Sequence, residues 1–427
     1  MQLISRKSRL NGTVSIPASK SHTIRAVAIA ALASGQSLIR NPLWSGDSEA
    51  AVNCYTALGA RIDTSDPLVW KVSGIGGRVV PPSETVDCLN SGTTLRIAMG
   101  SAALAEPGKT TTFTGDAQLQ SRPVGPLMDS LTELGAKCVS VKGNGKAPVQ
   151  VIGQLKGGKT SIEAKTSQYL TGLLMCTPLA TGDTEIEVTL LHEPGYAQMT
   201  LDWLDKQGIV YENDRMRRFH VKGGQSYQPF DLPVPADFSS ATFFLCGAAL
   251  FGDVTLKGLD FADSQPDKAV VDYLREMGAE ITVEDDGITV KASALRGVEI
   301  DMNATPDALP AMAVTACYAE GTTRLVNVPQ ARTKETDRIA CMAEELTKMG
   351  AKVEELPDGL VVHHSKLKAA HLDGRGDHRI VMALSLAAMG LDEPCTIDTA
   401  EAIRVTFPDF VTLMQSLGAD MEMKGTS

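Results

Sequence analysis

Hydrophobic and polar positions along the chain recur in a pattern that centres on a glycine. In each copy, an amphipathic run leads to an apolar or long side chain, then to the glycine, and soon afterwards to an apolar position. Glycine supplies the left-handed conformation that ends a helix, and the apolar position after it starts a strand. The recurring glycines are Gly59, Gly135, Gly208, Gly278, Gly350 and Gly418. The pattern predicts six repeats, each with an amphipathic helix that runs into a strand.

Every repeat also contains a second helical run that is rich in Ala, Leu, Met and Val on nearly all sides. A helix that is apolar all round is buried in a protein core or in a membrane. At about 12–15 residues these runs are too short to cross a bilayer, so we predict core helices. They cover residues 21–34, 93–105, 167–181, 239–251, 308–320 and 378–389.

The chain length predicts more than one core. Chains beyond roughly 250–300 residues usually split into domains, and this one has 427 residues. Its most proline-dense stretch, residues 228–236, follows the third repeat and suits an extended linker. We therefore predict an α/β protein with two domains of three repeats each. A single closed ring of all the repeats is the alternative.

Composition narrows the classes of partner. The net charge is −11, which argues against nucleic acid as a partner. The chain has no uninterrupted run of about 20 apolar residues, so no membrane span is predicted. The first residues lack the apolar core of a secretion signal, and eight scattered cysteines fit the reducing cytoplasm. No motif for a metal or a cofactor is present, so we expect neither.

Cations lie at the starts of predicted core helices in both domains. They are Lys20, Arg25, Arg96 and Arg379. A helix N-terminus carries partial positive charge, so a cation there is unfavourable unless an anion lies between the two. The Ser, Thr and Asp residues at the other helix starts are explained by N-capping alone. The cations predict an anionic ligand that binds between the two domains.

The chain resembles the EPSP synthase (3-phosphoshikimate 1-carboxyvinyltransferase) family along nearly its whole length. The motifs that carry the resemblance are Pro17-Ala18-Ser19-Lys20-Ser21 with Arg25, Asn90-Ser91-Gly92-Thr93, Ser121-Arg122-Pro123, Lys222-Gly223-Gly224-Gln225-Ser226-Tyr227, Lys334-Glu335-Thr336-Asp337-Arg338, Asp377-His378-Arg379 and Thr406-Phe407-Pro408. The resemblance implies a two-domain inside-out α/β barrel of βαβαββ repeats around buried parallel helices. Residues 1–17 and 236–427 would form domain I, residues 18–235 domain II, and the cleft between them the active site.

The resemblance also implies a reaction without a cofactor. The enolpyruvyl group of phosphoenolpyruvate would pass to the 5-hydroxyl of shikimate 3-phosphate, by addition and then elimination of phosphate. This is a step of the shikimate pathway, which leads to the aromatic amino acids. By similarity Asp307 is the base at the hydroxyl, Glu335 is the proton partner at the methylene carbon, and Lys20 stabilises charge at the reacting centre.

Two sets of binding residues are implied by the same resemblance. For shikimate 3-phosphate they are Lys20, Ser21, Arg25, Thr166, Ser167, Gln168, Asp307, Gln330 and Lys334. For phosphoenolpyruvate they are Lys20, Gly92, Arg122, Gln168, Arg338 and Arg379. Guanidinium groups suit carboxylate and phosphate because they bind such anions with two parallel hydrogen bonds.

Some positions depart from the family pattern. Glu193-Pro194-Gly195-Tyr196 stands where Ser-x-Pro-Tyr is usual, which puts the serine contact to shikimate 3-phosphate in question. Gln330 replaces a common asparagine, and Val405 replaces a lysine that helps to hold phosphoenolpyruvate. Arg404 is the candidate to replace that lysine, provided that the chain there is not a regular strand. We expect a monomer that glyphosate inhibits only weakly, by competing with phosphoenolpyruvate.

Two other functions compete with this interpretation. The sister enzyme that acts on UDP-N-acetylglucosamine typically has a cysteine on the loop before its Arg-Pro, and residues 114–120 contain none. A non-catalytic ligand-binding protein of the same fold would not need Asp307, Glu335 and Lys20. We therefore expect the shikimate 3-phosphate enzyme.

Overall fold

A computed structural model of the protein describes residues 1–285 and 287–425. Contacts divide the chain into two compact units. Unit 1 comprises Met1–Pro17 and Ala236–Ser427, and unit 2 comprises Ala18–Pro235. Each unit has its own hydrophobic core.

The α-helices of the described residues are, in chain order, α1 (Lys20–Leu32), α2 (Gly46–Ala57), α3 (Gly92–Ala102), α4 (Ala117–Ser121), α5 (Gly125–Glu133), α6 (Ser167–Cys176), α7 (Pro194–Lys206), α8 (Phe238–Phe251), α9 (Ala269–Glu276), α10 (Leu309–Tyr318), α11 (Arg338–Lys348), α12 (His378–Ala388) and α13 (Phe410–Ser416). Short 3-10 helices cover Thr177–Leu179, Pro266–Lys268, Pro306–Ala308, Pro329–Thr333 and Ala400–Val405.

The strands of the described residues are β1 (Gln2–Ser5), β2 (Leu10–Ser15), β3 (Ser34–Arg40), β4 (Arg61–Asp63), β5 (Val69–Ile75), β6 (Val86–Asp87), β7 (Thr110–Thr114), β8 (Lys137–Ser140), β9 (Val149–Ile152), β10 (Gly158–Ala164), β11 (Thr184–Leu191), β12 (Tyr211–Asp214), β13 (Arg218–Val221), β14 (Asp231–Pro233), β15 (Gly252–Lys257), β16 (Glu280–Glu284), β17 (Gly287–Lys291), β18 (Glu299–Asp301), β19 (Thr322–Val326), β20 (Lys352–Leu356), β21 (Gly359–His363), β22 (His371–Asp373), β23 (Cys395–Asp398) and β24 (Met421–Lys424).

The strands form four-stranded sheets that share one plan. Unit 2 holds the sheets β14-β3-β5-β4, β6-β7-β9-β8 and β10-β11-β13-β12. Unit 1 holds β16-β17-β15-β2, β18-β19-β21-β20 and β22-β23-β1-β24. Each sheet has one parallel pair, such as β6 with β7, and its other neighbours are antiparallel. The prediction of a two-domain α/β fold is confirmed.

The predicted core helices are present and buried. They are α1, α3, α6, α8, α10 and α12. In α3 every residue is buried, including Arg96. Each of these helices packs against a sheet of its own repeat. The polar groups at the helix starts, such as Ser167 and Arg379, are themselves buried at the ends of otherwise apolar elements.

The six recurring glycines all end helices in the left-handed conformation, with φ between 67° and 110°. They follow α2, α5, α7, α9, α11 and α13, and a strand begins within three residues of each. The sequence prediction for these elements is confirmed. Among the described residues, no helix combines the length and the apolar character that a membrane crossing requires.

Candidate active site

In unit 2, helix α1 brings Lys20 and Ser21 to its first turn. Ser19 caps the helix, because its hydroxyl accepts a hydrogen bond from the backbone N–H of His22 at 3.4 Å. Lys20 Nζ lies 3.0 Å from Oδ2 of the buried Asp47, which belongs to the first turn of α2. Asp47 thus holds the ammonium group at the start of α1.

Arg25 lies one turn further along α1 and is buried. Its guanidinium donates to the Thr200 hydroxyl at 3.0 Å, the Ser21 carbonyl at 3.0 Å and the Tyr196 carbonyl at 2.9 Å. Burial lowers the pKa of Arg25 to about 10, although Tyr196 opposes this shift. The group therefore remains a cation at neutral pH, and it fixes the first turn of α7 against α1.

The starts of α3 and α6 are adjacent. Arg96 Nη1 donates to Gln168 Oε1, and Gln168 Nε2 donates to the Thr93 hydroxyl at 3.1 Å. A Cβ on Gly92 would lie 2.7 Å from Arg96 Nη1 and 3.0 Å from Arg122 Nη1. Gly92 therefore leaves room for two guanidinium groups at one helix start.

Arg122 and Arg96 are both held by neutral oxygen acceptors. Arg122 Nη2 donates to the side-chain oxygen of Asn90 at 2.8 Å, and Arg96 Nη2 donates to the Pro123 carbonyl at 3.1 Å. Burial lowers the pKa of Arg96, and the nearby positive charge of Arg122 acts in the same direction. Two close guanidinium groups make a favourable place for an anion.

Thr166 and Ser167 begin α6, and both contact the carboxylate of Glu193. Glu193 Oε2 accepts from the Ser167 hydroxyl at 2.8 Å, from the Ser167 backbone N–H at 3.3 Å and from the Thr166 hydroxyl at 3.4 Å. Glu193 is 1% exposed and precedes α7. Thus a carboxylate from another element occupies the donors at the start of α6.

In unit 1, three carboxylates surround the guanidinium of Arg338. Its Nη1 donates to Asp307 Oδ1 at 2.7 Å, its Nη2 to Glu335 Oε2 at 2.6 Å, and its Nε to Asp377 Oδ2 at 2.8 Å. Burial alone would lower the pKa of Arg338, but the carboxylates, led by Asp377, raise it above the ordinary value. Arg338 therefore ties Asp307 and Glu335, the two predicted acid–base residues, to one group.

Asp307 also contacts two further cations. Its Oδ2 lies 3.3 Å from Arg379 Nη2, and its Oδ1 lies 3.7 Å from Lys334 Nζ. Arg379 Nη2 donates to the Ser239 hydroxyl at 2.8 Å, which links the starts of α12 and α8. Five of the predicted residues form one cluster, namely Asp307, Lys334, Glu335, Arg338 and Arg379.

Asp377 and His378 support this cluster from the start of α12. Asp377 is fully buried and caps α12 by accepting from the backbone N–H of Arg379 at 2.8 Å. Burial lowers the pKa of His378 to about 4, although Asp377 opposes the shift. The imidazole is therefore neutral at physiological pH.

Gln330 and Arg404 each lie in a 3-10 helix. Gln330 is buried in a 3-10 helix, and its Nε2 donates to the Asn303 carbonyl at 2.9 Å. The residues before Thr406 form a 3-10 helix rather than a strand, and Arg404 in it lines a cavity of about 280 Å³ with Met1 and Gln415. No predicted site residue lines that cavity, so this placement does not support Arg404 as a substitute for the missing lysine.

Sequence reasoning gave no binding or catalytic role to several residues that hold the site together. They are Asp47, Glu193, Ser239 and Asp377. Asp377 carried a signal as part of an N-cap motif, and Glu193 carried one as a departure from the family pattern. Asp47 carried none, since only the fold brings it to a helix start far away in the sequence.

Comparison with known proteins decides the family. The sequence profile of the family described as EPSP synthase (3-phosphoshikimate 1-carboxyvinyltransferase) matches residues 4–414. The chain belongs to the EPSP synthase family. A relative named 3-phosphoshikimate 1-carboxyvinyltransferase from Acetivibrio thermocellus is 51% identical over 422 residues, which is 99% of both chains. One with the same name from Ruminiclostridium cellulolyticum is 49% identical and covers 98% of this chain and 99% of its own.

Solved structures of this family have the same fold. The EPSP synthase from Acinetobacter baumannii matches with a TM-score of 0.84 and 26% identity, and the match covers 100% of both chains. The enolpyruvyl transferase NikO from Streptomyces tendae matches in fold alone, with a TM-score of 0.80 and 18% identity over 100% of this chain and 99% of its own. The predicted family and its enzyme class, a transferase, are confirmed.

Proposed function

We propose that the protein transfers the enolpyruvyl group of phosphoenolpyruvate to the 5-hydroxyl of shikimate 3-phosphate. The bond from the hydroxyl oxygen to C2 of phosphoenolpyruvate forms, and the bond from C2 to the phosphate oxygen breaks. The methylene carbon gains a proton in the addition and loses one in the elimination. Family membership supports this reaction, because the relatives that match the chain from end to end carry its name.

The observation that carries the proposal is the pair of buried arginines near the starts of α1 and α3. Arg25 and Arg96 donate to hydroxyl, carbonyl and amide oxygens. Burying a charge is costly unless it is paired and hydrogen-bonded, so buried cations of this kind are retained where a ligand supplies the opposite charge. Both proposed substrates are polyanions and would supply it.

The acid–base roles are proposed for the residues around Arg338. Asp307 would take the proton of the 5-hydroxyl, and Glu335 would handle the proton at the methylene carbon. Three cations contact the Asp307 carboxylate. We infer that the carboxylate and phosphate of phosphoenolpyruvate draw Arg338 and Arg379 away from Asp307, which frees its oxygens to accept the hydroxyl proton when the second substrate is bound.

The binding roles are proposed for residues of both units. Lys20, Ser21, Arg25, Thr166, Ser167, Gln168, Asp307, Gln330 and Lys334 are assigned to shikimate 3-phosphate. Lys20, Gly92, Arg122, Gln168, Arg338 and Arg379 are assigned to phosphoenolpyruvate. The close approach of Arg122 and Arg96 to Gly92 supports the second set, and Lys20 would act on both substrates.

The test is release of inorganic phosphate from phosphoenolpyruvate with each acceptor in turn. We expect release with shikimate 3-phosphate and none with UDP-N-acetylglucosamine. Mass spectrometry of the product should show shikimate 3-phosphate with an added enolpyruvyl group. Release with the nucleotide sugar alone would favour the sister activity, and binding without release would favour a non-catalytic protein.

We also propose that the protein is a monomer, that it lies in the cytoplasm and that glyphosate inhibits it only weakly. Val405 supplies no positive charge where the family commonly has a lysine, so fewer cations would hold a competitor of phosphoenolpyruvate. A glyphosate titration at fixed phosphoenolpyruvate tests the sensitivity, and inhibition in the micromolar range would contradict it. Light scattering after size exclusion would establish the oligomeric state.

A further inference from the structure

The buried carboxylate of Glu193 has no role in the proposed reaction. It is buried, and its Oε2 receives three hydrogen bonds from Thr166 and Ser167 at the start of α6. The backbone of Glu193 is left-handed, with φ at 58°, in a region that residues with a Cβ seldom adopt. Pro194 follows and begins α7, so the left-handed residue is the one that leads into this helix.

The donors that hold Glu193 are the ones that an external anion would need. A hydroxyl, a backbone N–H at a helix start and a second hydroxyl together make an anion-binding geometry. Thr166 and Ser167 are also the residues proposed for shikimate 3-phosphate. Each of these groups has one hydrogen to donate, so the same hydrogens cannot serve a substrate oxygen and Glu193 Oε2 at full strength.

We propose that Glu193 is an internal anion that competes with the phosphorylated acceptor for the start of α6, and so determines its affinity. This inference rests on the proposed function and names a residue that acts against substrate binding. Like charges that share one set of donors disfavour each other. Binding of shikimate 3-phosphate therefore requires the Glu193 carboxylate to leave Ser167.

A purely structural cap would behave in the opposite way. If Glu193 only positioned Thr166 and Ser167 for the substrate, removal of its charge would weaken the binding of shikimate 3-phosphate. If it competes with the substrate, removal of its charge strengthens that binding. The two roles are therefore separated by the sign of one change in affinity.

The experiment compares Glu193→Gln with the wild-type protein by calorimetry and steady-state kinetics. Glutamine keeps the shape and an oxygen that accepts from Ser167, so the fold should persist. We expect the dissociation constant for shikimate 3-phosphate to fall about tenfold. The Michaelis constant for phosphoenolpyruvate and the affinity for unphosphorylated shikimate should stay within about twofold, because neither depends on the competing charge.

Glu163→Gln is the matched control. Glu163 is exposed, contacts Lys165 at 3.1 Å and lies only a few residues before Thr166, so its removal changes the net charge equally. We expect no change in the dissociation constant for shikimate 3-phosphate with this variant. An equal gain in both variants would overturn the inference, because it would show a long-range effect of net charge.

An unchanged or higher dissociation constant in Glu193→Gln would overturn the inference as well. A crystal structure of the wild-type protein with shikimate 3-phosphate gives a second test that does not depend on the variant. Glu193 Oε2 should then lie beyond hydrogen-bond distance of Ser167, and a retained contact would contradict the proposal. A wild-type protein that turns over no shikimate 3-phosphate would instead overturn the proposed function, and with it this inference.

Discussion

At the scale of single residues, Asp307 is the most direct test of the acid–base chemistry. Asp307→Asn keeps the shape and an oxygen toward Arg338, but the amide cannot accept the hydroxyl proton. We expect kcat to fall by about 10²–10⁴, since this is the usual contribution of a general base. Shikimate 3-phosphate should still bind when measured by calorimetry.

The control for Asp307 is an exposed carboxylate of the same unit. Asp272→Asn changes the charge equally, and Asp272 is 78% exposed at its side chain. The kcat of the Asp272→Asn variant should match that of the wild type. Turnover above about a tenth of the wild-type value in Asp307→Asn would show that another group is the base.

Gly92→Ala tests the two guanidinium groups at the start of α3. The added methyl would meet Arg96 Nη1 and Arg122 Nη1, which are the ends of flexible side chains. They can move aside, so we expect the melting temperature to change little. The Michaelis constant for phosphoenolpyruvate should rise by about tenfold or more, since losing a charge-assisted contact costs about 1.5–3 kcal/mol. An unchanged constant would remove Gly92 and Arg122 from the proposed site.

His378 makes stability depend on pH in a defined direction. Its pKa is lowered from 6.5 to about 4 in the folded protein, chiefly by burial, whereas the unfolded chain keeps the ordinary value. Between these values the unfolded state binds more protons, so the free energy of unfolding falls as the pH drops from 6.5 toward 4. The loss amounts to about 3 kcal/mol for a shift of this size.

The measurement is the urea midpoint at several pH values in that range. His378→Gln should flatten the dependence, while His364→Gln, a change at an exposed histidine of the same unit, should leave it unchanged. Some dependence will remain at lower pH, since Arg338 lowers the pKa of Asp377 against the opposing effect of burial. An equally steep curve in His378→Gln would contradict the assignment.

At the scale of elements, α3 and α6 pack through glycines. A Cβ on Gly100 would lie 2.5 Å from the Gly172 carbonyl oxygen, and a Cβ on Gly172 would lie 2.8 Å from the Arg96 carbonyl oxygen. Backbone cannot move aside as a side-chain end can. Gly100→Ala should therefore lower the free energy of unfolding by about 1–3 kcal/mol, through overpacking.

Gly125→Ala is the control for Gly100→Ala. Gly125 begins α5, and a Cβ there would meet no heavy atom within 4 Å. Alanine favours a helix over glycine, so this variant should be neutral or slightly more stable. A loss of stability in Gly100→Ala but not in Gly125→Ala, measured from the two melting curves, would show that close helix packing and not the substitution itself is the cause.

The elements were largely predictable from the sequence, and the contacts at their ends were only partly so. The amphipathic helices, the glycines that end them and the apolar core helices are recognised from local periodicity, which a single sequence displays. Lys20 and Arg379 drew attention because a cation at a helix start needs a reason. Asp47 did not, because its partner Lys20 is 27 residues away and meets it only in the folded chain. Glu193 drew attention as a departure from the family pattern, but its contact with Ser167, 26 residues away, is visible only in the folded chain.

At the scale of the whole molecule, the two units differ in how the chain builds them. Unit 2 is one continuous segment with its own core, so we expect residues 18–235 to fold alone and to unfold cooperatively by circular dichroism. Unit 1 needs its first segment, since β1 lies inside a sheet between β23 and β24. A chain that lacks residues 1–17 should therefore lose the cooperative transition of unit 1 and keep that of unit 2.

The position of β1 also fixes the order of events during biosynthesis. β1 leaves the ribosome well before its partner β24, which is made about 420 residues later. At about 5–20 residues per second, the first strand waits roughly 20–80 seconds for its neighbour. Unit 2 can complete its own core during this interval, while β1 and β2 remain available to chaperones or to wrong partners. A strand that is made early is thus among the last to find its place in a sheet.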